Sequence, residues 1–219
     1  MAGAAKFKRI DLELGGTTPH LVFDDANIEA ALPIIVASST VFARQFCVTG
    51  NRILVQRGNA QTFKARLAQR LEAVQPGPAS NLSSQMGPLI DQQAIQSVDQ
   101  MVNAAIEDGT KVVVRGGPIV DGPLASGAFY RPTFIEVRAS GMAISRDEVF
   151  GPVQTLQVFD TEDEAVAMAN DRDYGLSACF WTRDADRQIR VARQLEAGHI
   201  CISEWAGMQV EFEEGGFKN

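Results

Sequence analysis

His20-Leu21-Val22-Phe23, the helix-patterned run from Asn27 to Ala43, and Arg52-Ile53-Leu54-Val55-Gln56 follow one another, and this succession decides the fold. The first and last runs are short, apolar and strand-like. Between them Ile28, Leu32, Ile35, Ser39 and Phe42 fall on roughly one helical face. Asn27 is placed to cap the helix, and Pro33 is expected to kink it or delay its first turn. Outward from this unit the same alternation continues. A helix is expected from about Gln61 to Val74, then a Pro-, Gly- and Ser-rich loop over Gln75 to Pro88. A helix over about Asp91 to Asp108 ends at Gly109, which suits the position after a helix C-terminus. Strands are expected at Lys111–Arg115, Pro132–Val137, Val153–Phe159, Ser177–Trp181 and His199–Ser203, with a turn-rich excursion over Gly116–Gly127. Thr161 followed by Glu164 opens one late helix in capping-box spacing, and Asp184–Glu196 forms another. Strands alternating with helices predict an α/β domain: three α/β/α layers around a mainly parallel sheet. No repeat or linker divides the chain, so residues 1–219 read as one domain.

Composition narrows the function classes. Of 219 residues 45% are apolar and 21% charged, as in ordinary globular proteins, and the formal charge is −7. With no basic tract to meet phosphates, nucleic acid is not expected as a partner. Met1 to Arg9 lacks the apolar stretch of a secretory signal, and the run Ala30–Ala37, broken by Pro33, is too short to span a bilayer. No membrane association is expected. The three cysteines, Cys47, Cys179 and Cys201, show no CxxC spacing and cannot all pair within one chain, which fits a reduced, cytoplasmic protein without a metal site. Neither GxGxxG nor GxxxxGK occurs, so no common phosphate-binding glycine loop is present.

Two residues stand out chemically. Cys47 sits at a junction between a helix and a strand, where reactive groups concentrate; a small buried hydrophobe is the alternative, and pattern alone favours it. Cys179 and Cys201 lie inside apolar strand-like runs and read as buried hydrophobes. Glu13, in Leu12-Glu13-Leu14-Gly15-Gly16, is expected to be partly desolvated, which raises a carboxyl pKa; a surface glutamate at a strand end is the alternative.

The motifs go further. Glu13-Leu14-Gly15-Gly16, followed by Cys47, resembles the ELGG motif and nucleophile of NAD(P)-dependent aldehyde dehydrogenases. Glu148-Val149-Phe150-Gly151-Pro152-Val153 is similar to the family's EVFGPV, Tyr174-Gly175-Leu176-Ser177 to its YGLS, and Gly215-Gly216-Phe217-Lys218 to its GGFK. The resemblance covers essentially the whole chain. It implies that Cys47 attacks an aldehyde as thiolate, that hydride then leaves to a nicotinamide, and that Glu13 activates the water that hydrolyses the resulting thioester. It further implies that Glu148 binds the nicotinamide ribose, that Phe150 packs near the ring, and that the Cys47 N–H is one oxyanion donor. Trp205 and Met208 would line the substrate entrance, with a core or interface pair as the alternative. Departures surround the nucleophile: Arg44 stands where the family has Gly, Phe42 where Asn is common and Thr17 where Lys is common. Arg44 either points inward or is solvated.

The family carries a cofactor domain before ELGG and an oligomerisation strand after GGFK. Twelve residues precede Glu13 here and one follows Lys218, so the chain reads as a catalytic domain truncated at both ends. NAD or NADP is expected in a full-length parent and not bound tightly by this chain, which is expected to lack dehydrogenase turnover. The parent is expected to be a homo-oligomer. A non-catalytic structural fragment and a residual thiol esterase are the alternatives.

Overall fold

Asn27 accepts the Ala30 N–H through its side chain, and helix α1 (Ile28–Thr40) starts there as the sequence implies. The computed structural model describes residues 6, 8, 12–209, 211–212 and 214–218; most of Met1–Arg9 therefore lies outside the described residues. Pro33 sits within α1 without ending it. The end comes earlier than expected. Near it the Ser38, Ser39 and Thr40 hydroxyls donate to the Ile35, Ile35 and Val36 carbonyls at 2.8, 2.6 and 2.9 Å, competing with the helical ladder. Phe42, Ala43 and Arg44 then adopt left-handed φ of 52°, 52° and 60°, so the helix expected to reach Ala43 stops at Thr40.

The remaining helices are α2 (Ala60–Glu72), α3 (Gln92–Glu107), α4 (Ala143–Arg146), α5 (Glu162–Asn170) and α6 (Ala185–Gln194). Asp91 and Asp184 cap α3 and α6 through their carboxylates. Thr161 Oγ1 accepts the Glu164 N–H, but Glu164 reaches back to the Asp160 N–H, so the expected capping box is displaced by one residue. Beyond α3, Gly109 takes φ +82° while Thr110 donates to the Ala105 carbonyl. Gly109→Ala is expected to cost about 1–2 kcal/mol, the penalty of a left-handed non-glycine residue. It should appear as a lower urea midpoint at unchanged slope; an unshifted midpoint would contradict it.

The strands are β1 (Thr18–Val22), β2 (Gly50–Gln56), β3 (Lys111–Val114), β4 (Gly117–Pro118), β5 (Tyr130–Arg131), β6 (Thr133–Glu136), β7 (Val153–Phe159), β8 (Ser177–Trp181) and β9 (His199–Ile202). Seven form one sheet in the order β3-β6-β7-β2-β1-β8-β9, parallel throughout except for β3 against β6. Strand β4, inside the turn-rich excursion, pairs separately with β5 just beyond it, and no strand was expected at either place. Alternation along the strands sorts the core into two faces. Ile53, Val55, Cys179 and Trp181 meet Leu32 and Ile35 of α1 and Phe63 and Leu67 of α2. Leu21, Leu54, Ala178 and Phe180 meet Ala165 and Ala169 of α5 and Val191 of α6. A third cluster joins Ile95, Val98 and Val102 of α3 to Ile135, Val153 and Ile144. The expected three-layer α/β/α architecture with a mainly parallel sheet is therefore the fold. No helix among the described residues is long and apolar enough to cross a membrane.

Candidate active site

The motif residues converge where β1, β2, β7 and β8 begin. Gly16 precedes β1, Cys47 precedes β2, Phe150 precedes β7 and Leu176 precedes β8. This is the amino end of the parallel strands, opposite the carboxyl end where open α/β sheets usually bind ligands.

Gly15 and Gly16 are the junction of the site. A Cβ on Gly15 would collide with the Glu148 carboxylate. A Cβ on Gly16 would lie 2.5 Å from the Cys47 carbonyl oxygen, and the Gly16 N–H donates to Glu148 Oε1 at 3.2 Å. Two absent side chains thus let one extended segment touch both the cysteine loop and the 148–151 segment.

Cys47 is half-buried in the turn between the left-handed run and β2. Burial pushes its thiol above the ordinary range, and the facing Glu214 and Glu13 carboxylates push it further; the Val48 and Cys47 N–H groups pull it back. Glu214 was not anticipated. The only local hint is that it directly precedes Gly215-Gly216, much as Glu13 shortly precedes Gly15-Gly16. Glu13 itself is exposed, so the expected desolvation does not occur in this chain; Leu12 and Leu14 on either side of it are exposed as well. Removing a facing negative charge stabilises the thiolate and lowers the thiol pKa. Iodoacetamide alkylation of Cys47 should therefore shift to lower pH in Glu214→Gln, and by less in Glu13→Gln. Profiles unchanged in both variants would show that neither carboxylate acts on the sulfur.

Burial raises the Glu148 carboxyl, opposed by the Gly16 N–H and by the Arg44 guanidinium. Beside it Phe150 is 44% exposed and held at φ 50°. Arg44 points inward: it is 1% exposed, and Nη1 donates to the Gly151 carbonyl at 2.9 Å. Burial lowers its pKa to about 10, against the pull of Glu148, so it remains charged at neutral pH. Of the two directions open to it, Arg44 therefore takes the inward one and ties the cysteine loop to the 148–151 segment. Its charge, after burial itself, also helps hold the buried His20 down to about 3 and thus neutral.

Trp205 Nε1 donates to the Val48 carbonyl at 2.8 Å, and the Trp205 ring meets Phe46 edge-on, with Phe46 edge-on to Phe42. Trp205 thus abuts the cysteine loop, whereas Met208 lies on an exposed segment. The GGFK and YGLS segments hold each other: Phe217 N–H donates to the Gly175 carbonyl, and Lys218 Nζ reaches the Asn170 and Arg172 carbonyls and Glu196.

Fold and site together define an α/β domain that sets a loop cysteine among carboxylates and main-chain donors at the amino edge of its sheet. The profile of the aldehyde dehydrogenase family matches residues 1–219, and the chain belongs to that family. Among solved structures it is similar to betaine aldehyde dehydrogenase from Staphylococcus aureus in complex with NAD+, at 34% identity and a TM-score of 0.93, over 98% of this chain and 43% of that one. A putative aldehyde dehydrogenase from Burkholderia cenocepacia matches at 33% identity and a TM-score of 0.94, over 99% of this chain and 44% of that one. The chain spans less than half the length of these relatives.

Proposed function

We propose that this chain carries the acyl-transfer centre of an NAD(P)-dependent aldehyde dehydrogenase, which oxidises an aldehyde to a carboxylic acid. The observation that supports this most is the Gly15–Gly16 cradle, which brings Cys47 and Glu148 to one segment. The Cys47 thiolate adds to the aldehyde carbon, and the oxyanion of the thiohemiacetal is met by main-chain N–H groups at Cys47 and Val48. Glu13, exposed and free to reorient, takes the proton of the water that hydrolyses the Cys47 thioester. The half-buried Glu148 carboxylate suits the diol of a nicotinamide ribose, and the exposed Phe150 ring suits a flat neighbour; bound there, NAD(P)+ would supply the hydride acceptor.

Trp205, which holds the Val48 carbonyl, would line the approach to Cys47, with Met208 farther out on an exposed segment. The aromatic trio Phe42, Phe46 and Trp205, with Glu214 facing the sulfur, favours a cationic, ammonium-bearing aldehyde. The three free cysteines suit a reducing cytoplasm, and β9, the outermost strand of the sheet, is the edge at which a second copy would pair.

A cofactor-independent ester tests the centre directly. The 219-residue chain, mixed with p-nitrophenyl acetate and quenched in acid, is expected to carry an acetyl group on the Cys47 peptide. With an aldehyde and NAD(P)+ the same chain is expected to form no NAD(P)H, because positioning the reacting pair contributes roughly 7–11 kcal/mol and the chain spans 43% of its NAD-bound relative. Acetylation elsewhere, with Cys47 free, would favour the non-catalytic reading instead.

A further inference from the structure

The other two cysteines are not isolated. In-register pairing puts His20 of β1, Cys179 of β8 and Cys201 of β9 in one row across three adjacent strands. Neighbouring strands lie about 4.8 Å apart, within the Cα separation that a disulfide spans. Both thiols project into the same core cluster, beneath α1.

Cys201 is the better placed to react. It lies on the edge strand, and the segment after it folds back so that the Gly207 N–H donates to its sulfur. His199, two residues earlier on the same face, turns its ring toward that sulfur, and its Nε2 is buried without a partner among the described residues. The Cys179 thiol donates to Cys201, holding Cys201 down to about 6, while that same bond and then burial push Cys179 well up. Cys201 itself is 4% exposed, beneath a segment in which Ile202 to Glu204 are exposed and Trp205 to Gly207 are half-buried.

We propose that Cys201 and Cys179 form an oxidisable thiol pair, separate from Cys47, that takes a small hydroperoxide and closes to an intramolecular disulfide. The Cys201 thiolate attacks the terminal peroxide oxygen; the O–O bond breaks, the alkoxide leaves and is protonated to the alcohol, and Cys201 becomes a sulfenic acid. Cys179 then attacks that sulfur, expelling hydroxide, which leaves as water with the Cys179 proton. The two sulfurs together lose two electrons, and the hydroperoxide gains them. A disulfide there would also pull on the segment whose Trp205 holds the Val48 carbonyl beside Cys47.

The test is to treat the chain with stoichiometric hydrogen peroxide, block remaining thiols with N-ethylmaleimide under denaturing conditions, and map tryptic peptides without reductant. The Cys179 and Cys201 peptides should appear joined, lighter by two hydrogens and separable by dithiothreitol. Dimedone should label Cys201 in Cys179→Ser. Full maleimide labelling of Cys179 and Cys201 while Cys47 alone is oxidised would overturn the proposal. So would disulfides formed only with Cys47 or between copies. The wild-type map decides the matter even where the variant fails to fold.

Discussion

Gly16→Ala is expected to lower stability by about 1–3 kcal/mol and to slow acylation of Cys47 by on the order of 100-fold. The added Cβ would lie 2.5 Å from the Cys47 carbonyl oxygen, with Leu176 Cβ and Cδ2 each at 3.3 Å on another side. A flexible side chain could swing away from such a methyl. A backbone carbonyl cannot, so either the cysteine loop or the start of β1 must move. Movement of the first displaces the nucleophile, and movement of the second withdraws the Gly16 N–H from Glu148. Both outcomes cost reactivity beyond the cost in folding. The measurements are the urea midpoint and the p-nitrophenyl acetate acylation rate of the same preparation. An alanine variant that keeps wild-type stability and rate would remove the cradle as the basis of the site. Gly15→Ala is the milder comparison, because there the obstruction is the movable end of the Glu148 side chain.

The sequence carried the architecture because local signals and burial agreed. Val153–Phe159 and Ser177–Trp181 are strands at the expected bounds, since apolar runs of that length between turn residues have nowhere else to go. Asn27 and Thr161 cap as expected because the interaction spans three residues and needs nothing distant. What failed was whatever depended on tertiary contacts. Phe42, Ala43 and Arg44 continue the helical pattern, and none of them favours a positive φ. Their left-handed path goes with Arg44 reaching Gly151, more than a hundred residues away. The two-residue strands β4 and β5 and the four-residue α4 are too short to leave a periodic trace.

The candidate site divides in the same way. Cys47, Glu13, Glu148 and Phe150 were picked out as candidates through motifs, and two of them are brought to one segment by glycines that the motifs also contain. Glu214 reaches Cys47 only because the chain after β9 turns back toward the amino ends of the strands, and that turn carries no pattern of its own. The inward Arg44 could be posed from sequence as a choice between two directions. Packing decided it.

Cys47→Ala is expected to reduce p-nitrophenyl acetate hydrolysis by on the order of 10³-fold or more, leaving only background. The sulfur forms the bond that the reaction breaks, and neither Glu13 nor Glu214 can replace it as an acyl carrier that water then releases. Because Cys47 is half-buried in a turn, deleting its sulfur should cost little stability, and the urea midpoint should stay near that of the parent chain. Glu13→Gln should separate the two halves of the reaction. Acylation should persist, since the facing negative charge that it removes disfavours the thiolate, whereas deacylation should slow because no carboxylate remains there to take the proton of water. Quenched-flow sampling should then find the acetyl group accumulating on the Cys47 peptide. If Cys47→Ala still hydrolyses the ester at the parent rate, the acyl centre lies elsewhere. If Glu13→Gln turns over without accumulating acyl-enzyme, the water is activated by another group, and Glu214, whose charge also acts on the sulfur, is the carboxylate to replace next.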